Sequence, residues 1–241
     1  MSTSNSISRR HFLRNSAVVA GAATFSFSQL FGFERVFAQD ADTLEVILNL
    51  AATAETLACT HYYNVLTDSN IALVPAEVAI LKSALDTELQ HLEYLNANAA
   101  TSLLSEFYFP RNVYTDRAQF SEITEMAETS FVSAYLAAVR RIAQLGNPLL
   151  AATAAQVAAT EQVHLALIRQ IGGRVPNHVS LGQALFANTS DVKPVLQGFL
   201  EGGADFAGPR KFPGADEIRK VIGSDGVMAV KPFTDPTLFN K

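Results

Sequence analysis

The chain has 241 residues, of which 49% are hydrophobic and 17% are charged, which predicts one folded domain of ordinary size with a sizeable core. The formal net charge is −5, and without residues 1–38 the chain has 14 basic and 22 acidic side chains. This acidic balance argues against a nucleic-acid partner, which would require a basic face. Cys59 is the only cysteine, so no internal disulfide is expected.

Residues 1–38 have the pattern of an export signal rather than of a folded element. A twin-arginine motif, SRRHFLR, begins at Ser8 and is followed by a modest apolar run and by VFA before Gln39. The alternative is a basic start followed by a membrane anchor, but the apolar run is short and rich in Ala, Gly and Ser. We therefore expect export by the twin-arginine route to the periplasm or cell envelope, without a stable membrane span after cleavage.

Four long segments with helical spacing of their apolar residues follow the signal, and they predict an all-α fold. The predicted helices cover residues 42–66, 75–104, 117–145 and 148–171. Asp42 with Glu45, and Asp116 with Gln119, have the spacing of a capping box, which favours helix starts at these two places.

The connection between the second and third predicted helices, residues 105–117, is aromatic and not helical in pattern. Thirteen extended residues reach at most roughly 43–47 Å, and a helix of about 27 residues is roughly 40 Å long. The connection can therefore cross the length of a bundle, as an up-down-down-up arrangement requires. An up-down-up-down bundle could also use a connection of this length.

A repeat with an offset of 73 residues runs through the helical region. Each copy contains Ala-Glu-Thr and, 33 positions after its glutamate, the glutamate of a Thr-Glu-x-x-His-Leu motif. The repeated residues are of metal-ligand type: Glu55, Glu88 and His91 in the first copy, and Glu128, Glu161 and His164 in the second.

Each of these glutamates lies on the apolar stripe of its helix, and no Lys or Arg lies near it on that stripe. Because an unpaired buried carboxylate is prohibitively costly, four of them indicate bound cations. Two divalent ions would balance their charge, with the two histidines as neutral nitrogen ligands. In the third predicted helix, Glu122 and Glu125 are alternatives to Glu128 as the metal ligand. The repeat favours Glu128, and Glu125 is the second choice. The alternative is a degenerate bundle that keeps only the pattern.

Over about residues 42–172 this motif set resembles the ferritin-like superfamily and, within it, the exported, desiccation-related ferritin-like proteins of bacteria. The resemblance implies a ferritin-like antiparallel four-helix bundle over residues 39–173. It also implies that Glu55 and Glu128 each bind one metal ion. Glu88 and Glu161 would bridge the two ions, and His91 and His164 would each complete one of them.

Several residues near the predicted site have two interpretations. Tyr62 and Tyr135, which also keep the offset of 73, could hydrogen-bond metal ligands or pass an electron, or could form an aromatic core layer. Cys59 is interpreted as a small buried apolar residue. His61 falls off the apolar stripe and His178 lies outside the helices, so neither is expected to bind metal.

Residues 174–241 are rich in Gly, Pro, Asn and Asp, and only short helical pieces are expected, near residues 192–200 and 216–222. Their frequent apolar residues predict an irregular C-terminal extension that packs on the bundle. A lid over the metal site and an oligomer contact are the functional alternatives, and a homo-oligomer is compatible with the sequence.

Carboxylate and imidazole ligands suit iron or manganese. The leading hypothesis is a site with two iron ions that reacts with oxygen or peroxide in oxidative or desiccation stress. Its alternatives are two manganese ions in a catalase-like enzyme and a non-catalytic, metal-stabilised stress protein. The residues predict the metal pair, whereas the stress context comes from the resemblance alone.

Overall fold

The computed structural model describes residues 42–239, so the predicted signal over residues 1–38 lies outside the described residues. The bundle consists of α1 (Leu44–Thr67), α2 (Pro75–Ala97), α3 (Arg117–Gln144) and α4 (Pro148–Ile171). Helix α3 begins 73 positions after α1, and α4 begins 73 positions after α2. The sequence repeat is therefore a repeat of a helix pair.

Contacts at the helix ends establish an up-down-down-up order. Asp42, just before α1, accepts a hydrogen bond through its carbonyl from Arg141 near the end of α3 (2.8 Å). At the start of α3, Arg117 donates to the carbonyl of Ala72 before α2 (2.7 Å) and to that of Ile171 at the end of α4 (2.8 Å). Helix α3 is therefore antiparallel to α1 and α4, and the predicted all-α, four-helix fold is confirmed.

The helix starts agree with one capping prediction and contradict the other. Asp116 caps α3, because its carboxylate accepts from the backbone N–H of Ala118 (2.8 Å). At α1 the cap is Thr43 rather than Asp42. The Asp42 carboxylate instead accepts from the backbone N–H of Ser190 (3.0 Å), which ties the start of the bundle to the C-terminal extension.

Helix α2 ends at Ala97, so the prediction that it continues to Leu104 is wrong. The chain turns at Ala99, which has a left-handed φ of 63°. The backbone N–H of Thr101 then donates to the side chain of Asn49 on α1 (2.8 Å). The side chain of Asn49 thus accepts a hydrogen bond from a backbone N–H that the sequence pattern had placed within α2.

The crossing connection forms a strand that the sequence pattern did not predict. Strand β1 (Glu106–Pro110) pairs antiparallel with β2 (Phe206–Lys211) of the extension. Phe107 and Phe109 point into the core and are fully buried, since alternate residues of a strand face the same side. The two-stranded sheet therefore fastens the crossing connection and the extension to the same face of the bundle.

The rest of the extension contains a 3₁₀ turn (Thr189–Val192), α5 (Lys193–Glu201) and α6 (Ala215–Ile222). Phe199 of α5 and Ile218 of α6 are buried against the bundle. Within residues 42–239, no helix combines the length and the hydrophobicity that a membrane span requires.

Candidate metal centre

Six side chains from all four helices meet in the core of the bundle. Helix α1 contributes one, α2 two, α3 one and α4 two: Glu55, Glu88, His91, Glu128, Glu161 and His164. They form two groups that share Glu88 and Glu161, and within each group the ligand atoms lie within 4.8 Å of one another. Five of the six are almost completely buried, and the side chain of His91 is 14% exposed. All six residues singled out in the sequence thus lie in one cluster that could hold metal ions.

The two shared carboxylates each face both histidines. His91 Nδ1 lies 3.2 Å from Glu161 Oε1 and 3.5 Å from Glu88 Oε2. His164 Nδ1 lies 2.8 Å from Glu88 Oε1 and 3.3 Å from Glu161 Oε2. In each shared glutamate, one oxygen therefore faces His91 and the other faces His164. This arrangement would allow each of the two glutamates to bridge two ions.

The unpaired atoms of the cluster fit cations as partners. Both oxygens of Glu88 and of Glu161, one oxygen of Glu128, and Nδ1 of His91 and of His164 are buried, and the contacts among them, although as short as 2.8 Å, do not have the geometry of hydrogen bonds. Buried polar side-chain atoms are normally paired, so seven unpaired atoms in one place require an explanation. Carboxylate oxygens and imidazole nitrogens are the donor atoms that iron and manganese accept, and the ligand set therefore fits a two-metal centre.

The electrostatics of the cluster favour positive charge. Burial raises the pKa of Glu55 and Glu128 well above the ordinary value, and the carboxylates of Glu88 and Glu161 raise it further. Burial opposes protonation of the histidines, yet the carboxylates facing them raise the pKa of both. The cluster therefore attracts cations, either protons or metal ions.

Two tyrosines connect the helix pairs through the cluster. The Tyr62 hydroxyl on α1 donates to Glu128 on α3, and the Tyr135 hydroxyl on α3 donates to Glu55 on α1. Burial raises the pKa of both phenols, as do the neighbouring carboxylates, so they remain protonated donors. Of the two interpretations, the hydrogen bond to a ligand residue is the one observed. The repeat in the sequence indicated that the two tyrosines are equivalent, but not that each one bonds to the glutamate on the other helix.

The competing candidates are placed elsewhere. Glu125 forms ion pairs with Arg169 and, at 2.6 Å, with Arg174, and Glu122 is exposed. Cys59 is fully buried and belongs to neither ligand group, and burial raises the pKa of its thiol. These contacts leave Glu128 as the α3 carboxylate of the cluster.

His61 is buried, contrary to its position off the predicted apolar stripe. Its Nδ1 lies 3.2 Å from the Tyr114 hydroxyl, and its Nε2 lies 2.9 Å from Thr124 Oγ1. The Thr124 hydroxyl donates to the carbonyl of Phe120 (2.7 Å), so it accepts from His61. Nε2 therefore carries a proton, and since burial lowers the pKa of His61, the ring is neutral and Nδ1 accepts from the Tyr114 hydroxyl. Its partners come from the crossing connection and α3, which helical periodicity does not reveal.

The fold and the cluster together define a four-helix bundle with a buried carboxylate and histidine centre on its facing helices. A family model described as a ferritin-like domain matches residues 43–174, which is more than half of the chain. The chain therefore belongs to the ferritin-like domain family. Comparisons with curated proteins and with solved structures gave no match.

Burial lowers the pKa of His61 to about 3 from the ordinary value of 6.5. Because the folded pKa is the lower one, the stability that neutral His61 contributes is fully present above about pH 6.5 and is lost as the pH falls toward 3. We expect nitrogen NMR to show the neutral Nε2–H tautomer of His61 at about pH 5. A His61→Gln variant should lose less unfolding free energy between about pH 7 and 5 than the wild type. A His61 titration midpoint near 6.5 would contradict this account.

Proposed function

We propose that the chain is an exported ferritin-like protein whose core cluster binds two metal ions, iron in the first place, and reacts with oxygen or peroxide. One observation carries the proposal: Glu88 and Glu161 each present one oxygen to His91 and the other to His164. A site for a single ion does not need two shared carboxylates whose oxygens are divided between two imidazoles.

The remaining ligands complete two equivalent halves. Glu55 with His91 would hold one ion, and Glu128 with His164 would hold the other. Four carboxylates balance the charge of two divalent cations, which resolves the cost of burying them. When bound, a pair of iron or manganese ions supplies electron transfer to an oxygen species. Tyr62 and Tyr135 orient the carboxylates of Glu128 and Glu55, and the packed helices keep bulk water out.

Export and stress protection form the second part of the proposal. The twin-arginine pattern that begins at Ser8 supports export, and the twin-arginine route carries folded proteins. A metal centre that is buried among four helices suits such a route, since the ions can be bound before export. The resemblance to exported, desiccation-related ferritin-like proteins supports a role in oxidative or drying stress at the cell envelope.

The reaction can be tested on protein loaded with ferrous iron without oxygen and then mixed with dioxygen or hydrogen peroxide in a stopped-flow instrument. We expect rapid oxidation of the bound iron in the wild type and its loss in Glu88→Gln, which removes a shared carboxylate. Glu93→Gln is the matched control, because Glu93 is exposed on the same helix and pairs with Arg219.

Other outcomes would select another function. Oxygen release from peroxide by manganese-loaded protein, without iron oxidation, would favour a catalase-like enzyme. Bound metal that reacts with neither oxidant, together with a melting temperature that falls sharply on chelation, would overturn the proposed reaction in favour of a structural role.

The two tyrosines give a separate prediction for metal affinity. Tyr62→Phe and Tyr135→Phe each free one ligand carboxylate from its hydrogen bond, and we expect each to weaken metal binding about 10–100-fold. Tyr94→Phe is the control, because the Tyr94 hydroxyl contacts Thr234 and no ligand residue. Competition titration with a coloured chelator measures all three. Equal affinities for Tyr62→Phe and Tyr94→Phe would show that the crossed hydrogen bonds do not hold the ligands.

A further inference from the structure

A cleft lies where α3 meets the crossing connection and the C-terminal extension. Its volume is about 430 Å³, and its walls come from α3, from α5, from the turn after β1 and from the turn before β2. None of the six cluster residues lines it. Binding sites for small molecules have volumes of about 300–1,000 Å³, so the cleft has room for a small organic molecule.

The buried part of the cleft is apolar. The three buried residues of its lining are Val195, Phe199 and Phe206. The rings of Phe199 and Phe206 meet edge to face, with their centroids 5.5 Å apart. A Cβ on Gly198 would overlap the Phe206 ring, so glycine at this position allows the ring to lie directly against α5. The cleft therefore has a packed aromatic floor onto which an apolar group can bind.

The exposed residues of the lining form the rim of the cleft, and the rim has one charge of each sign. Arg111 and Asp205 are the only ionisable residues of the lining. The backbone N–H of Arg111 donates to the carbonyl of Asp205 (3.0 Å), so the two residues are neighbours. Arg111 Nε donates to the carbonyl of Ala204 (3.1 Å), and within residues 42–239 neither charged side chain forms an ion pair. Neighbouring residues of the rim thus carry opposite charges that are not paired with each other.

These features select a class of ligand. An apolar group fits the floor, because removing apolar surface from water is favourable. A ligand that is only an anion would be repelled by Asp205, and a ligand that is only a cation would be repelled by Arg111. A molecule that carries both charges close together and an apolar group beside them is complementary to the whole cleft. An amino acid with an apolar side chain is such a molecule.

From these observations we propose that the cleft binds a free amino acid with an apolar side chain. Its carboxylate pairs with Arg111, its ammonium group pairs with Asp205, and its side chain lies against Phe199 and Phe206. The two terminal nitrogens of Arg111 can donate to a carboxylate together, while Nε keeps its bond to Ala204. This site is independent of the proposed metal chemistry, because none of these residues belongs to the metal cluster.

Calorimetric titration of the purified protein with L-leucine and three analogues tests the site. Isocaproate lacks the ammonium group of leucine, isoamylamine lacks the carboxylate, and glycine lacks the apolar side chain. We expect leucine to bind, and each analogue to bind at least about 5-fold more weakly, because each loses one contact. No binding of leucine would overturn the site, and equal affinity for leucine and any analogue would overturn the proposed ligand class.

Two variants of the rim locate the binding in the cleft. Arg111→Gln should weaken the binding of leucine and isocaproate but not that of isoamylamine, whereas Asp205→Asn should weaken the binding of leucine and isoamylamine but not that of isocaproate. Arg140→Gln is the matched control, because Arg140 is exposed on α3 and its guanidinium also donates to a carbonyl of the extension, that of Ala187. A general structural effect of Arg111→Gln would weaken all three ligands alike. That result, or equal weakening in Arg140→Gln, would overturn the proposed contacts.

Discussion

The burial of four carboxylates in the core of a helical bundle is the constraint on which the rest of the structure depends. Within residues 42–239, the ion pairs of these glutamates involve only histidines, and no Lys or Arg reaches them. The positive charge must therefore come from protons or from metal ions. Each helix contributes at least one ligand residue, so the arrangement of the cluster and the packing of the bundle depend on each other.

The two halves of the centre are connected by the shared glutamates and by two tyrosine hydrogen bonds between the helix pairs. Glu88 and Glu161 face both histidines, while Tyr62 and Tyr135 each reach from one helix pair to a carboxylate of the other. The surrounding segments do not follow this symmetry. The crossing connection and the extension form one small sheet on the bundle, and Thr234 of the extension bonds to Tyr94 of α2 and to Thr153 of α4. A symmetric centre thus lies inside an asymmetric cover.

The sequence predicted the bundle and all six cluster residues because both depend on local spacing. Helical periodicity places each glutamate on the apolar stripe of its helix. The repeat offset of 73 residues identifies Glu128, rather than the nearby Glu125, as the equivalent of Glu55. What the sequence did not predict depends on partners that are distant in the chain. The β1–β2 pairing and the end of α2 are of this kind, and so is the burial of His61, whose partners are Tyr114 and Thr124. Such contacts leave no periodic signal in either segment.

Elemental analysis of metal per chain, on protein purified after export from its native host, tests the central claim most directly. We expect about two iron or manganese ions per chain in the wild type and their loss in a Glu88→Ala, Glu161→Ala double variant. A Glu45→Ala, Glu122→Ala double variant, which changes exposed glutamates of α1 and α3, should keep both ions. Folded wild-type protein without stoichiometric metal would contradict the account, and the repeat would then be a feature of bundle packing alone.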